Sequence, residues 1–110
     1  MSGFLKEVNI KSDMPSVSEA EDRLCAAVTA GRKLGAGAVK IIHGYGSTGK
    51  GGKIRTAVRR KAAEFSENVI FGEDFSIFNE ATRQAFKACA DLRKDDDLDR
   101  HNNGITIIIL

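Results

Sequence analysis

Between Val39 and Lys61 the chain reads VKIIHGYGSTGKGGKIRTAVRRK. A short β-branched stretch, Val39 to Ile42, ends in a His-Gly turn, and a glycine-rich loop then leads into a basic segment of helical length. A strand of continuous apolar character predicts burial on both faces, unlike one in which apolar and polar residues alternate. Followed at once by a helix, it predicts a βα unit. The same order brings backbone N–H groups and the positive end of a helix to one point, an arrangement that suits an anion.

The remaining segments extend this pattern. Leu5 to Ile10 alternates and reads as a strand with one polar face. Pro15 breaks the chain, Ser16 and Glu19 have capping-box spacing, and a helix is expected from about Val17 to Lys33. Its apolar stripe is Val17, Ala20, Leu24, Ala27, Val28 and Gly31, and Gly35 or Gly37 can take the left-handed conformation that ends it. The basic helix is expected from about Lys53 to Phe65, with Ile54, Val58, Ala62 and Phe65 inward and Arg55 and Arg59 on an exposed flank. Asn68 to Phe71 reads as a third strand, Phe75 to Leu92 as a helix with a stripe of Phe78, Ala81, Ala85, Cys89 and Leu92, and Ile105 to Leu110 as a last strand. RKDDDLDRHNNG before that strand is expected to be a mobile polar connection. The order β-α-β-α-β-α-β argues for an α/β sandwich, and 110 residues make a single domain, 1–110.

Charge is distributed unevenly along this frame. Arg23 to Ala63 holds ten Lys or Arg and no Asp or Glu, whereas residues 64–110 hold five basic and ten acidic groups. The net charge is only +2, so the basicity is concentrated, as on a face offered to a polyanion. Cys25 and Cys89 fall among Ala and Leu and read as small buried apolar residues. No apolar run approaches the roughly 20 residues that span a bilayer. MSGFLKEVNIKSD lacks the basic and apolar regions of a secretory signal, so a cytoplasmic protein without a membrane partner is expected.

Three motifs bear on chemistry. Gly44 to Lys50 has the spacing of a nucleotide phosphate loop, but Gly51 stands where Ser or Thr should hold magnesium. Asp95, Asp97 and Asp99 open like a calcium-binding EF-hand, but Arg100 and Thr106 occupy the positions that require Gly and Glu, which leaves a solvated acidic loop. His43 lies at the C-terminal end of a buried strand, where ligands gather in open α/β sheets; it reads equally as a structural or a functional histidine.

The segment VKIIHGYGSTGKGGKIRTAVRRKA resembles the HGxGxG strand-loop-helix of the small MutS-related (Smr) domain. Glu7 to Leu24 is similar to that family's first strand and helix, and NNGITIIIL to its closing Gly-x-Thr strand. The resemblance implies a two-layer β-α-β-α-β-β sandwich similar to the C-terminal domain of a bacterial translation initiation factor, here with an inserted helix and acidic loop at about 76–103. It also implies binding of DNA or RNA, which several members nick or cut. The family's first strand normally ends in Asp-Leu-His-Gly, whose Asp and His are implicated in cleavage; this chain has Asn9-Ile10-Lys11-Ser12. Asn is no carboxylate base and Lys11 no neutral imidazole, so the resemblance is that of a divergent member, with nuclease activity expected to be weak or lost.

The expected binding surface is therefore a phosphate-backbone site. Gly44, Gly46, Gly49 and Gly51 would supply amides, Lys50, Lys53, Arg55 and Arg59 point charges, and Tyr45 either a stacking platform for a base or a packing contact across the loop. If cleavage survives, His43 and Lys11 are the candidate catalytic residues, with Asp13 the nearest carboxylate in sequence. No cofactor or metal site is read; magnesium or manganese would enter only for the alternative of an active nicking endonuclease. A second alternative is a small phosphorylated-ligand or nucleotide-binding protein using the same loop, and residues 93–102 offer an acidic surface to a protein partner.

Overall fold

A computed structural model describes residues 3–45 and 50–110; for Lys50 and Gly51 it describes the backbone alone. Its elements are β1 (Leu5–Asn9), α1 (Val17–Leu34), β2 (Ala38–Ile42), α2 (Lys50–Phe65), β3 (Val69–Phe71), α3 (Glu80–Ala88) and β4 (Ile105–Ile109), with 3-10 turns at Gly72–Asp74 and Ala90–Lys94. The capping box forms as read: Glu19 N–H donates to Ser16 Oγ (3.1 Å) and Ser16 N–H to Glu19 Oε1 (3.1 Å). Gly35, at φ 78°, ends α1, a conformation that a Cβ would oppose.

The four strands form one mixed sheet in the order β1-β2-β4-β3. β1 runs parallel to β2, as a strand reached through a crossover helix must, and β4 runs antiparallel to both β2 and β3. In this register Ile42 at the end of β2 lies between Asn9 and Ile105, and Thr106 lies between Ile41 and Phe71. Helices α1 and α2 cover one face, on a core of Ile10, Leu24, Val28, Val39, Ile41, Val58 and Ile108. This is the α/β sandwich expected from the sequence. The segment between β3 and β4 covers the opposite face with Phe75, Phe86, Cys89 and Leu92 against Ile70, Ile105 and Ile107. Residues on the central strands β2 and β4 thus meet core on both sides, which explains why those strands do not alternate.

Two expectations about the inserted segment are corrected. The helix anticipated over Phe75–Leu92 is only Glu80–Ala88, because Asn79 caps it, with its side chain accepting from Thr82 N–H at 2.9 Å, and because backbone at Cys89 leaves the helix (φ −147°) to point that residue into the core. Its inward face is therefore Thr82, Ala85 and Phe86; Phe78 lies outside the helix, 84% exposed, and Ala81 is exposed. The acidic connection, expected to be mobile, is tied to the sheet. Asp95 and Asp97 reach Lys40, Asp99 N–H donates to the Phe75 carbonyl (3.0 Å), and Asp99 Oδ1 accepts from Ile77 N–H (3.1 Å).

Lys40 is the residue that the apolar reading of β2 passed over. It is 3% exposed at the centre of the sheet. Its ammonium meets Asp95 Oδ1 at 2.9 Å, Glu7 Oε1 at 3.2 Å and Asp97 Oδ2. Burial opposes the charge, but hydrogen bonds to Asp97 and Asp95 outweigh it and hold the Lys40 pKa above its ordinary value. Of the three aspartates with EF-hand spacing, Asp95 and Asp97 are turned to an internal ammonium and Asp99 to the Ile77 N–H, and no cluster of metal-ligating side chains exists among the described residues.

Candidate functional site

The end of β2 carries His43, Gly44 and Tyr45 onto the sheet edge where α2 begins. His43 and Gly44 N–H groups both donate to the Gly104 carbonyl at 3.0 Å, so the turn is pinned to the residue that opens β4. Gly44 has φ 86°, which a side chain would strain. A Cβ at that position would also lie 3.4 Å from Lys11 Cδ, so the stem of Lys11 runs directly alongside the turn. Parallel pairing of β1 with β2 is what delivers Lys11 there, and Ile10 N–H extends that pairing to the Ile42 carbonyl (3.0 Å).

His43 is 2% exposed and both ring nitrogens are committed. Nδ1 lies 3.0 Å from the Gly44 carbonyl and Nε2 2.8 Å from Thr106 Oγ1. A carbonyl only accepts, so Nδ1 carries the hydrogen and Nε2 accepts from the Thr106 hydroxyl. Thr106 Oγ1 accepts in turn from Arg59 Nε (3.0 Å), which closes a consistent chain of donors. Burial pushes the His43 pKa down to about 4; the bond to Gly44 opposes this, and the positive Arg59 and Arg55 add to it. The ring is neutral at pH 7. The sequence left His43 open between structural and functional roles, and this geometry is that of a structural histidine: no nitrogen faces a substrate and no carboxylate partners it.

Arg59 is corrected from an exposed phosphate contact to an internal clamp. Its side chain is 12% exposed and binds Glu73 with Nη1–Oε2 at 2.9 Å and Nη2–Oε1 at 2.6 Å. Nη2 also donates to the Ile105 carbonyl (3.2 Å), and the guanidinium lies 4.1 Å from the centre of the Phe71 ring. The Arg59 hydrogen bond is the main cause that holds the Glu73 carboxyl below the usual range. Glu73 and Thr106 were not singled out by sequence reasoning. Thr106 had a signal, as the lone hydroxyl in a strand of isoleucines; Glu73 had none, because its partner is brought to it by the sheet.

Tyr45, Lys11 and Lys53 are exposed at this turn, and Arg55 is half-buried. Tyr45 is 60% exposed, and Arg55 Nη1 donates to its carbonyl at 3.1 Å, fixing the first turns of α2 beneath it. Lys11 and Lys53 are exposed, and the first turn of α2 holds no acidic residue to oppose an anion. Gly46 and Gly49, expected to supply amides, lie outside the described residues; for Lys50 and Gly51 the backbone opens α2. Asp13, the carboxylate nearest in sequence, sits in a turn with φ 64° and is exposed. Cys25 is half-buried and Cys89 buried, where burial raises its thiol pKa. No helix among the described residues is long and apolar enough to cross a membrane.

Searches against protein-family models, curated proteins and solved structures found no match to this chain.

Proposed function

We propose that this chain is a nucleic-acid-binding domain that grips the sugar-phosphate backbone at the end of β2 and the start of α2, a divergent Smr-like fold without effective nuclease activity. The observation that carries the reading is the division of labour at the turn. Tyr45 is exposed, with Arg55 on its carbonyl and the Lys11 stem beside the adjoining Gly44, whereas His43, two residues before it, is neutral and fully hydrogen-bonded. An aromatic face beside cations on an exposed turn is the composition of a stacking platform on a charged path. Phosphates positioned there would meet backbone N–H groups at the start of α2 and the ammonium of Lys53. The order β-α-β-α-β-β, once the segment at about 76–103 is set aside as an insert, also supports the resemblance to Smr domains.

Cleavage is not favoured. A general acid or base must present its nitrogen to the substrate, and both nitrogens of His43 are turned into the fold.

The test is affinity for single-stranded and duplex DNA and RNA across a salt series. Three phosphate contacts, from Lys11, Lys53 and Arg55, predict a slope of log K on log salt of about −2 to −3. Lys53→Ala should lower that slope by about 1 without changing thermal stability. Supercoiled plasmid should stay intact with magnesium or manganese. Undetectable binding at low salt refutes the proposal, and nicking that His43→Ala abolishes refutes the assignment of His43.

A further inference from the structure

An open cleft of about 490 Å³ lies beside the turn, lined by Tyr45, Asp96, Asp97, Arg100, His101 and Asn102. One wall is therefore the outward-facing aromatic ring and the other is the inserted loop. The shared hydrogen bonds of His43 and Gly44 to the Gly104 carbonyl hold the two walls at a fixed separation.

The loop wall is built rather than draped. Asp97 pairs with the buried Lys40 and accepts from Asn102 Nδ2 at 2.8 Å, and Asn102 Oδ1 accepts from Gly104 N–H at 2.9 Å. His101 Nδ1 donates to the Glu73 carbonyl at 3.2 Å. Asp99 and His101 have φ of 63° and 53°, in the left-handed region that ordinary side chains avoid. Backbone of that kind persists only where its surroundings over-determine it, and it concentrates at ligand sites. A wall ordered before binding costs little to use.

The cleft suits a neutral group better than a phosphate, because Asp96 and Asp97 would repel an anion while Arg100 would attract it. A planar base satisfies both: its face on Tyr45, its edge against the loop. Asp96 can only accept and Arg100 can only donate. An exocyclic amino group next to a ring or carbonyl acceptor, as in adenine, cytosine or guanine, matches that pair. Uracil and thymine present N3–H beside a carbonyl and match the pair as well, so the cleft suits any base.

We infer that the loop before β4 makes this cleft a pocket for one unstacked base of a single strand, held between Tyr45 and the 96–102 loop while the adjoining phosphates follow Lys11, Arg55 and Lys53. This rests on the nucleic-acid reading above and adds a base-stacking element to it.

The composition supplies the assay. Tyr45 is the only tyrosine and the chain has no tryptophan, so its intrinsic fluorescence reports one side chain. Single-stranded oligomers of about eight nucleotides, within the usual footprint of such sites, would be titrated as oligo-A, oligo-C, oligo-U and an abasic strand of equal length. Affinity is read by anisotropy of a labelled end and stacking by quenching of Tyr45. Oligo-A, oligo-C and oligo-U should quench Tyr45 and bind roughly tenfold tighter than the abasic strand, the scale of one base stacked on an aromatic ring. Tyr45→Ala should reduce that ratio to near one, and Tyr45→Phe should keep it. Abasic and base-bearing strands that bind equally, with Tyr45 unquenched, overturn the pocket and leave backbone binding standing. Failure of every strand to bind at low salt overturns the backbone reading and the pocket together.

Discussion

Acidification from pH 7 to pH 5 should weaken this fold by about 2 kcal/mol through His43. The perturbation is protonation of a ring whose two nitrogens are both committed in its neutral form, 3.0 Å from a carbonyl and 2.8 Å from a hydroxyl. In the unfolded chain the ring titrates at its ordinary 6.5, and in the fold at about 4. The unfolded state therefore binds the extra proton throughout that window. Stability is fully present above 6.5 and falls away as pH drops toward 4, by about 3 kcal/mol in all. The ring is 2% exposed, so solvent screening does little to reduce the figure.

The window separates His43 from the other shifted acids. Glu73 and Asp97 both have lowered pKa values, but their stabilisation begins to be lost only as pH falls below their unfolded values of 4.5 and 3.8. Urea unfolding followed by circular dichroism at pH 7, 6 and 5 and constant ionic strength is the assay. With a urea m-value of about 1–3 kcal/mol/M for a domain of this size, the midpoint should fall by roughly 1–2 M between pH 7 and 5. In His43→Gln the slope of that dependence should largely disappear, whatever the variant's absolute stability. An unchanged midpoint from pH 7 to 5, or a His43 ring that titrates near 6.5 by NMR, refutes the buried, doubly bonded histidine.

Lys40→Met should destabilise by about 3 kcal/mol, because Asp95 and Asp97 are left facing each other with no counter-charge; chemical denaturation measures it, and adding Asp95→Asn and Asp97→Asn should restore most of the loss. Arg59→Lys keeps the charge but loses the two-pronged contact with Glu73 and the bond to Thr106, and should cost about 1–2 kcal/mol. That loss reads as a melting temperature lower by roughly 5–10 °C, and an unchanged melting temperature would show that the clamp contributes nothing.

What the sequence disclosed follows the range of the interactions involved. Helix α1 was legible at both ends because its signals are local: Ser16 and Glu19 lie three residues apart, and Gly35 closes it within its own turn. Strands β1 and β4 were legible from periodicity and β-branching. The insert was not, since Phe78 and Ala81 keep helical spacing with Ala85 although Asn79 starts the helix later and Phe75, outside it, is the buried anchor. Lys40 and Asp95 are 55 residues apart and Arg59 and Thr106 47 apart, so no spacing rule could pair them. The available clue was chemical rather than periodic: a lone charge inside an apolar strand requires a partner, and the acidic run before β4 was the obvious reservoir.

These pairings also change what the charge map means. The ten cations between Arg23 and Ala63 looked like a face for a polyanion. Three of them turn inward: Arg23, half-buried, donates to the Ile10 and Ser12 carbonyls, Lys40 holds the acidic loop and Arg59 holds Glu73. Part of the segregation in sequence is therefore cancelled in space, where Lys40 and Arg59 of the positive middle meet Asp95, Asp97 and Glu73 of the negative end. Arg32, Lys33 and Arg60 stay exposed elsewhere, while Lys11, just past β1, and Lys53 and the half-buried Arg55 of α2 come toward the turn after β2 that carries Tyr45. On the reading proposed above, the three cations near Tyr45 would meet a few phosphates rather than a long duplex. Discrimination must then come from something other than charge, and the feature adjoining them that is both polar and pre-ordered is the cleft wall that the internal pairing of Lys40 with Asp97 holds in place.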